Sequence, residues 1–110
     1  MTFPEADWKT LRGMKGILLK RASSRALERV EKIIGQQKAD PHKAYIKLWR
    51  VLEDEDRKIA RAFNDMKRSN ALMKLLDMVR HDLLTKDELN KYTKETKERL
   101  EAIAGANKAL

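Results

Sequence analysis

Pro41–Leu84 reads PHKAYIKLWRVLEDEDRKIARAFNDMKRSNALMKLLDMVRHDLL, with no glycine and no second proline. Its start is sharply marked. Asp40 is a good N-cap, and Pro41 at the first helical position lacks an amide hydrogen that would have no partner there in any case. Within the stretch, Tyr45, Trp49, Leu52, Asp56, Ile59, Phe63, Met66, Asn70 and Met73 fall on one heptad register, and only Asp56 and Asn70 are not apolar. After Met73 the stripe drifts onto Leu72, Leu76, Val79 and Leu83, as a 3.6-residue period does against a strict heptad. The pattern is helical and favours a short bundle over a long supercoil.

A single helix over the whole stretch would be roughly 65 Å long, more than a globule of 110 residues needs. The segment therefore projects as an arm or it bends. Glu53–Asp56 and Arg68–Asn70 are the expected breaks, because Asp, Ser and Asn side chains compete for local backbone hydrogen bonds. Asn70 either marks such a break or pins a helix pairing.

Toward the N-terminus, Thr2 and Glu5 have capping-box spacing around Pro4, which opens a first helix. Trp8, Leu11, Met14, Leu18 and Ala22 then recur at steps of three and four. Ser23-Ser24 either caps a second helix through Leu27, Val30, Ile33 and Ile34 or is traversed by the first, and Gly35 ends the segment. Toward the C-terminus, Thr85 and Glu88 form a second capping box, and Thr93 is placed to cap a helix over Lys94 to Ala104. Apolar residues are sparse there, so these short helices must fold back on the longer ones; Gly105 to Leu110 is expected to fray. No alternating strand pattern and no internal repeat occurs.

The expected fold is thus all-α: one helical domain over residues 1–110, with a helical pair at the N-terminus, a long or bent central helix and short C-terminal helices. Composition agrees, since Ala, Glu, Lys, Leu and Arg supply 60 of the 110 residues. Aromatics are only 5% and charged residues 38%, so a monomer would have a thin core. Uncovered apolar stripes on long helices then favour self-association, and a homodimer is expected. Cysteine is absent, which excludes disulfide staples and thiolate chemistry. The opening MTFPEADWK has no apolar signal core and no uncharged run approaches the roughly 20 residues that span a bilayer, which points to a cytoplasmic protein without a membrane span.

The net charge of +8 favours polyanionic partners, and its excess is N-terminal: residues 1–43 carry ten Lys/Arg against five Asp/Glu. Within that region Gly13-Met14-Lys15-Gly16 resembles a phosphate-cradling loop. It lacks the strands that a KH domain needs and the Gly-Lys-Ser/Thr order of a P-loop. On a helix, Lys9, Arg12, Gly13, Gly16 and Lys20 share one side, where the glycines admit close approach and the cations supply charge. With Lys15, Arg21 and Arg25 these residues form a candidate phosphate-contact surface, without a base-reading cluster and hence without sequence specificity.

Catalytic patterns are weak. The carboxylates of Glu53–Asp56 point around a helix instead of converging, Asp77 and His81 lack a second histidine at metal-binding spacing, and no triad spacing occurs. No metal or cofactor is implied. The expected function is therefore a small non-enzymatic regulatory or adaptor protein. Its apolar seam, with Trp49, Leu52, Ile59, Phe63, Met66, Asn70 and Met73 as interface candidates, would bind a second copy or another protein. Non-specific nucleic-acid binding by the basic N-terminal face is the alternative.

Overall fold

The computed structural model describes residues 2–108, with side chains described as far as Ala104. Five helices and a 3-10 turn follow in order: α1 (Glu5–Gly35), α2 (Pro41–Phe63), the turn (Arg68–Asn70), α3 (Ala71–Arg80), α4 (Lys86–Leu89) and α5 (Lys94–Lys108). The chain is all-α, and no strand occurs among the described residues.

The longest helix is α1, not the central segment. It runs unbroken through Ser23-Ser24, since two serines cost a helix only a few tenths of a kcal/mol each and packing on both sides offsets that. It begins two residues later than the Thr2 capping box implies. Pro4 takes the N-cap position in an extended conformation with no side-chain cap, while Phe3 is buried and its carbonyl accepts from Arg68 Nε at 2.8 Å. The tether to Arg68, 65 residues on, fixes the start of α1 in place of a local cap.

Asp40 caps α2 as its sequence implies, its Oδ1 accepting from the Lys43 amide at 3.1 Å. The helix continues through Glu53–Asp56, because Asp54 and Glu55 pair with Arg29 of α1 and with Lys58 one turn on, so they do not turn back on their own backbone. The break comes instead after Phe63. Asn70 holds it: its Oδ1 accepts from the Lys67 amide and its Nδ2 donates to the Asp65 carbonyl, with Asp65 at φ 54° in the left-handed region. Asn70 thus serves a turn.

One core cluster joins Phe3, Leu11, Met14 and Leu18 of the N-terminal half to Ala62, Phe63, Ala71, Leu75, Leu76, Met78, Leu83, Tyr92 and Leu100. Two polar clamps close it. Asp7 on α1 is 1% exposed and accepts from the Thr93 amide at 2.9 Å, the Thr93 hydroxyl at 2.6 Å and the Thr96 hydroxyl, so α1 supplies the carboxylate that anchors Thr93, whose own hydroxyl caps α5 by accepting from the Thr96 amide. The second clamp is Arg21, which forks onto both Glu88 oxygens and also donates to the Leu83 carbonyl at 2.6 Å. Glu88 simultaneously accepts from the Thr85 amide, completing the expected capping box of α4. Arg25 adds bonds to the carbonyls of His81 and Asp82, where α3 ends with Asp82 at φ 53°.

These elements leave an elongated molecule, 52 × 33 × 25 Å with a radius of gyration of 16.7 Å, against about 13 Å for a compact chain of this length. The excess is the far end of the α1–α2 hairpin. α5 is helical to Lys108, past the Ala104 end expected from the sequence, so Gly105 to Lys108 continue the helix instead of fraying, and only Ala109 and Leu110 of that expectation lie outside the described residues.

The Arg21 guanidinium, with the Thr85 amide, holds the Glu88 carboxyl down to about 2 from its ordinary 4.5. A carboxyl depressed on folding stabilises above its ordinary pKa, and that contribution fades as pH falls from about 4.5 toward 2. Glu88→Gln is expected to lower unfolding free energy by about 1–3 kcal/mol at neutral pH, with the difference from wild type closing as pH falls through that window. Denaturant titrations of both proteins across the range check it.

Candidate functional site

The hairpin's far end has almost no interior. Of the residues of α2, only Ala62 and Phe63 at its C-terminus are buried, and beyond Leu18 the buried residues of α1 are Ala26 and Ile33. α3 is ten residues long, about 15 Å, while α2 has 23 residues and extends about 34 Å. The heptad stripe of α2 therefore changes character along its length. It enters the core at Ile59 and Phe63, but at Tyr45, Trp49 and Leu52 it is 58%, 51% and 43% exposed.

α1 contributes Leu27 and Ile34, which are also exposed. Ile34, Tyr45 and Leu48 line one cleft beside the hairpin turn, which places the two stripes on the same face. Leu27 lies a heptad before Ile34, and Trp49 and Leu52 lie four and seven residues after Tyr45, so all five side chains form one apolar band. The ionic contacts of the hairpin lie elsewhere. Arg29 is about 140° around α1 from Ile34 and pairs with Asp54 and Glu55, which Lys58 also meets.

Followed toward its N-terminus, the Ile34 stripe of α1 passes through Val30, Leu27, Ser23, Lys20, Gly16 and Gly13 at alternating steps of three and four. Val30 and Ser23 are half-buried and the others are exposed. Apart from the adjoining backbone of α1 itself, no atom of the described residues lies within 4 Å of the place a Cβ would occupy at Gly13 or Gly16. Nothing inside the protomer requires glycine at either position, although each weakens the helix by about 1 kcal/mol relative to alanine.

The structure divides the residues singled out in the sequence. Among the interface candidates, Trp49 and Leu52 lie on the uncovered band and Met73 is separately exposed on α3. Phe63 is core, Ile59 and Met66 pack against it, and Asn70 is spent on its turn. Among the basic candidates, Lys9, Arg12, Gly13, Gly16 and Lys20 are exposed and Lys15 is half-buried. The Arg12 guanidinium lies 5.6 Å from the Trp8 ring centroid. Arg21 and Arg25 are committed to Glu88 and to the carbonyls after α3, so the basic surface is shorter than its sequence suggests. Residues the sequence did not nominate are Leu27, Ile34 and Tyr45. The available signal was Tyr45 at the head of the heptad register; that Leu27 and Ile34 flank it emerges only once the hairpin is formed.

A cleft of about 200 Å³ between α1, α2 and the end of α3 has an apolar floor including Phe63 and Met78, with Arg25, Arg29 and Lys58 at its rim. Those cations already have partners in the fold. Among the described residues no three His, Asp or Glu side chains gather as metal ligands, and no helix is long and apolar enough to cross a membrane. Comparison with protein-family models, curated proteins and solved structures finds no match.

Because the space beside Gly13 is open, Gly13→Ala is expected to raise unfolding free energy by about 0.5–1 kcal/mol. Chemical denaturation reads it directly, and a loss of stability would show that this face packs against something within the protomer.

Proposed function

We propose that this chain is a small non-enzymatic association module that works by docking a polypeptide on the apolar band of its far hairpin. The supporting observation is the exposure of Leu27, Ile34, Tyr45, Trp49 and Leu52 on one face. Single exposed apolar residues are ordinary on a soluble surface, but a contiguous band rimmed by charge is characteristic of binding surfaces. The two aromatics suit the role, since each offers a large rigid apolar body at little entropic cost. The folded core at the other end gives the hairpin a fixed base, through the Asp7 and Arg21 clamps. An adaptor or regulatory role follows if the docked polypeptide carries an activity of its own.

The test uses substitutions in exposed positions that the fold tolerates. Trp49→Asp combined with Leu52→Asp is expected to keep the helical signal and leave stability within about 0.5 kcal/mol, while abolishing association read by crosslinking in cells and by hydrodynamic mass. Association that survives this pair would overturn the reading.

Phosphate contact by the basic stretch of α1 is the second reading, favoured by the exposure of Lys9, Arg12 and Lys20, none of which forms an ion pair among the described residues. With Lys15 they allow at most about four phosphate contacts, so log K against log salt would have a slope of about −3 to −4. Oligonucleotide anisotropy at several salt concentrations is expected to show binding that disappears in Arg12→Glu with Lys20→Glu. Binding unaffected by that pair would remove α1 from consideration.

A further inference from the structure

Resting on the association reading above, we propose that the polypeptide docked on this face is a second copy of the chain, paired through antiparallel α1 helices. The sequence of the α1 stripe is self-complementary in shape. From its N-terminal end it presents Gly13, Gly16, Lys20 and Ser23, small or flexible; from its C-terminal end it presents Ile34, Val30 and Leu27, large and apolar. Reversing one copy against the other about a two-fold axis near Arg25 puts Ile34 over Gly16, Val30 over the aliphatic stem of Lys20, and Leu27 over Ser23. Large side chains then meet small ones along the whole overlap, the alternation by which facing helices interdigitate.

Charge agrees with shape in the same register. Lys20 comes beside Glu31 of the second copy, twice by symmetry. Both residues are exposed, and neither forms an ion pair among the described residues. A parallel arrangement would instead set Gly16 against Gly16, leaving a gap, and Lys20 against Lys20.

The glycines then have a reason. They weaken the isolated helix and have no neighbour in the protomer, but the antiparallel pair places a branched side chain on the Gly16 position, where a Cβ would hold the helices apart. The area is adequate as well. Leu27, Ile34, Tyr45, Trp49 and Leu52, each about half exposed, offer roughly 500 Å² per copy, so burying two such bands reaches the roughly 1,000 Å² that separates specific interfaces from incidental contact. A two-fold interface presents the same patch from both copies, which requires self-complementarity of this kind.

An anionic membrane is a poorer fit for the band. Glu31, Glu53 and Asp56 are exposed along the hairpin, and Glu31 lies one turn from both Leu27 and Ile34. Acid in that place opposes a negative surface and complements a lysine.

The chain lacks cysteine, so introduced cysteines report pairing without background. Light scattering on purified wild type is expected to give twice the 12.8 kDa chain mass at micromolar concentration. Under mild oxidation a mixture of Gly16→Cys and Ile34→Cys chains is expected to form the mixed disulfide, while each chain alone does not crosslink, because like positions lie about 27 Å apart. Gly16→Leu, in open space in the protomer, should keep the helical signal and weaken the dimer at least tenfold. A chain that stays monomeric overturns the second-copy proposal, whether or not it cosediments with anionic vesicles. If Trp49→Asp/Leu52→Asp still abolishes an in-cell crosslink to a different polypeptide, the association reading stands without it. Homodisulfides at 16 and at 34 would overturn the antiparallel register.

Discussion

Two helices of unequal cover set the architecture. α1 and α2 run side by side for the length of α2, while α3, fewer than half as long, ends against the Arg25 side of α1, about 180° around that helix from Ile34. Wherever α3, the α3–α4 turn or α5 reaches, the apolar stripes are interior: Leu11, Leu18, Phe63 and Leu75 are all buried. Beyond that reach the α2 stripe continues through Leu52, Trp49 and Tyr45 with nothing to cover it, and Leu27 and Ile34 lie beside it on a face of α1 about 160° from that of Leu18. A two-helix hairpin buries too little apolar surface to be independently stable, so the far end depends on the base for its geometry and on a further surface for its apolar face.

The base is held by groups that act over long sequence separation. Asp7 holds Thr93, the residue that caps α5, across 86 residues of chain, and Arg21 joins the middle of α1 to the box that opens α4. Both are charged residues with several hydrogen bonds apiece, so each fixes direction as well as proximity. Tyr92 completes the arrangement by donating to the Met14 sulfur, and burial pushes its phenol above the ordinary tyrosine range. The short C-terminal helices, poor in apolar residues, owe their position to these bonds as much as to packing.

Local signals were legible in the sequence and remote ones were not. Asp40-Pro41, the Thr85/Glu88 box and Thr93 each act on a backbone three or four residues away, and each is found in its expected role. The break near Arg68–Asn70 belongs to the same kind of inference. Glu53–Asp56 does not break the helix because the cation that occupies its carboxylates, Arg29, comes from another helix. The continuity of α1 and the diversion of Arg21 and Arg25 into the fold have the same origin. For the candidate site, periodicity identified the stripe of α2 but not where along it the cover ends. That depends on the length of α3, and hence on where Asn70 turns the chain.

Accessibility of the Trp49 indole tests the central claim, that the far hairpin face is covered when the protein associates. A Trp8→Phe variant leaves Trp49 as the sole tryptophan, and its emission and acrylamide quenching can be followed from concentrated to highly dilute protein. The account predicts a shielded, blue-shifted indole that becomes exposed and red-shifted on dilution, in step with the fall in mass. An indole that is equally exposed at every concentration would contradict it.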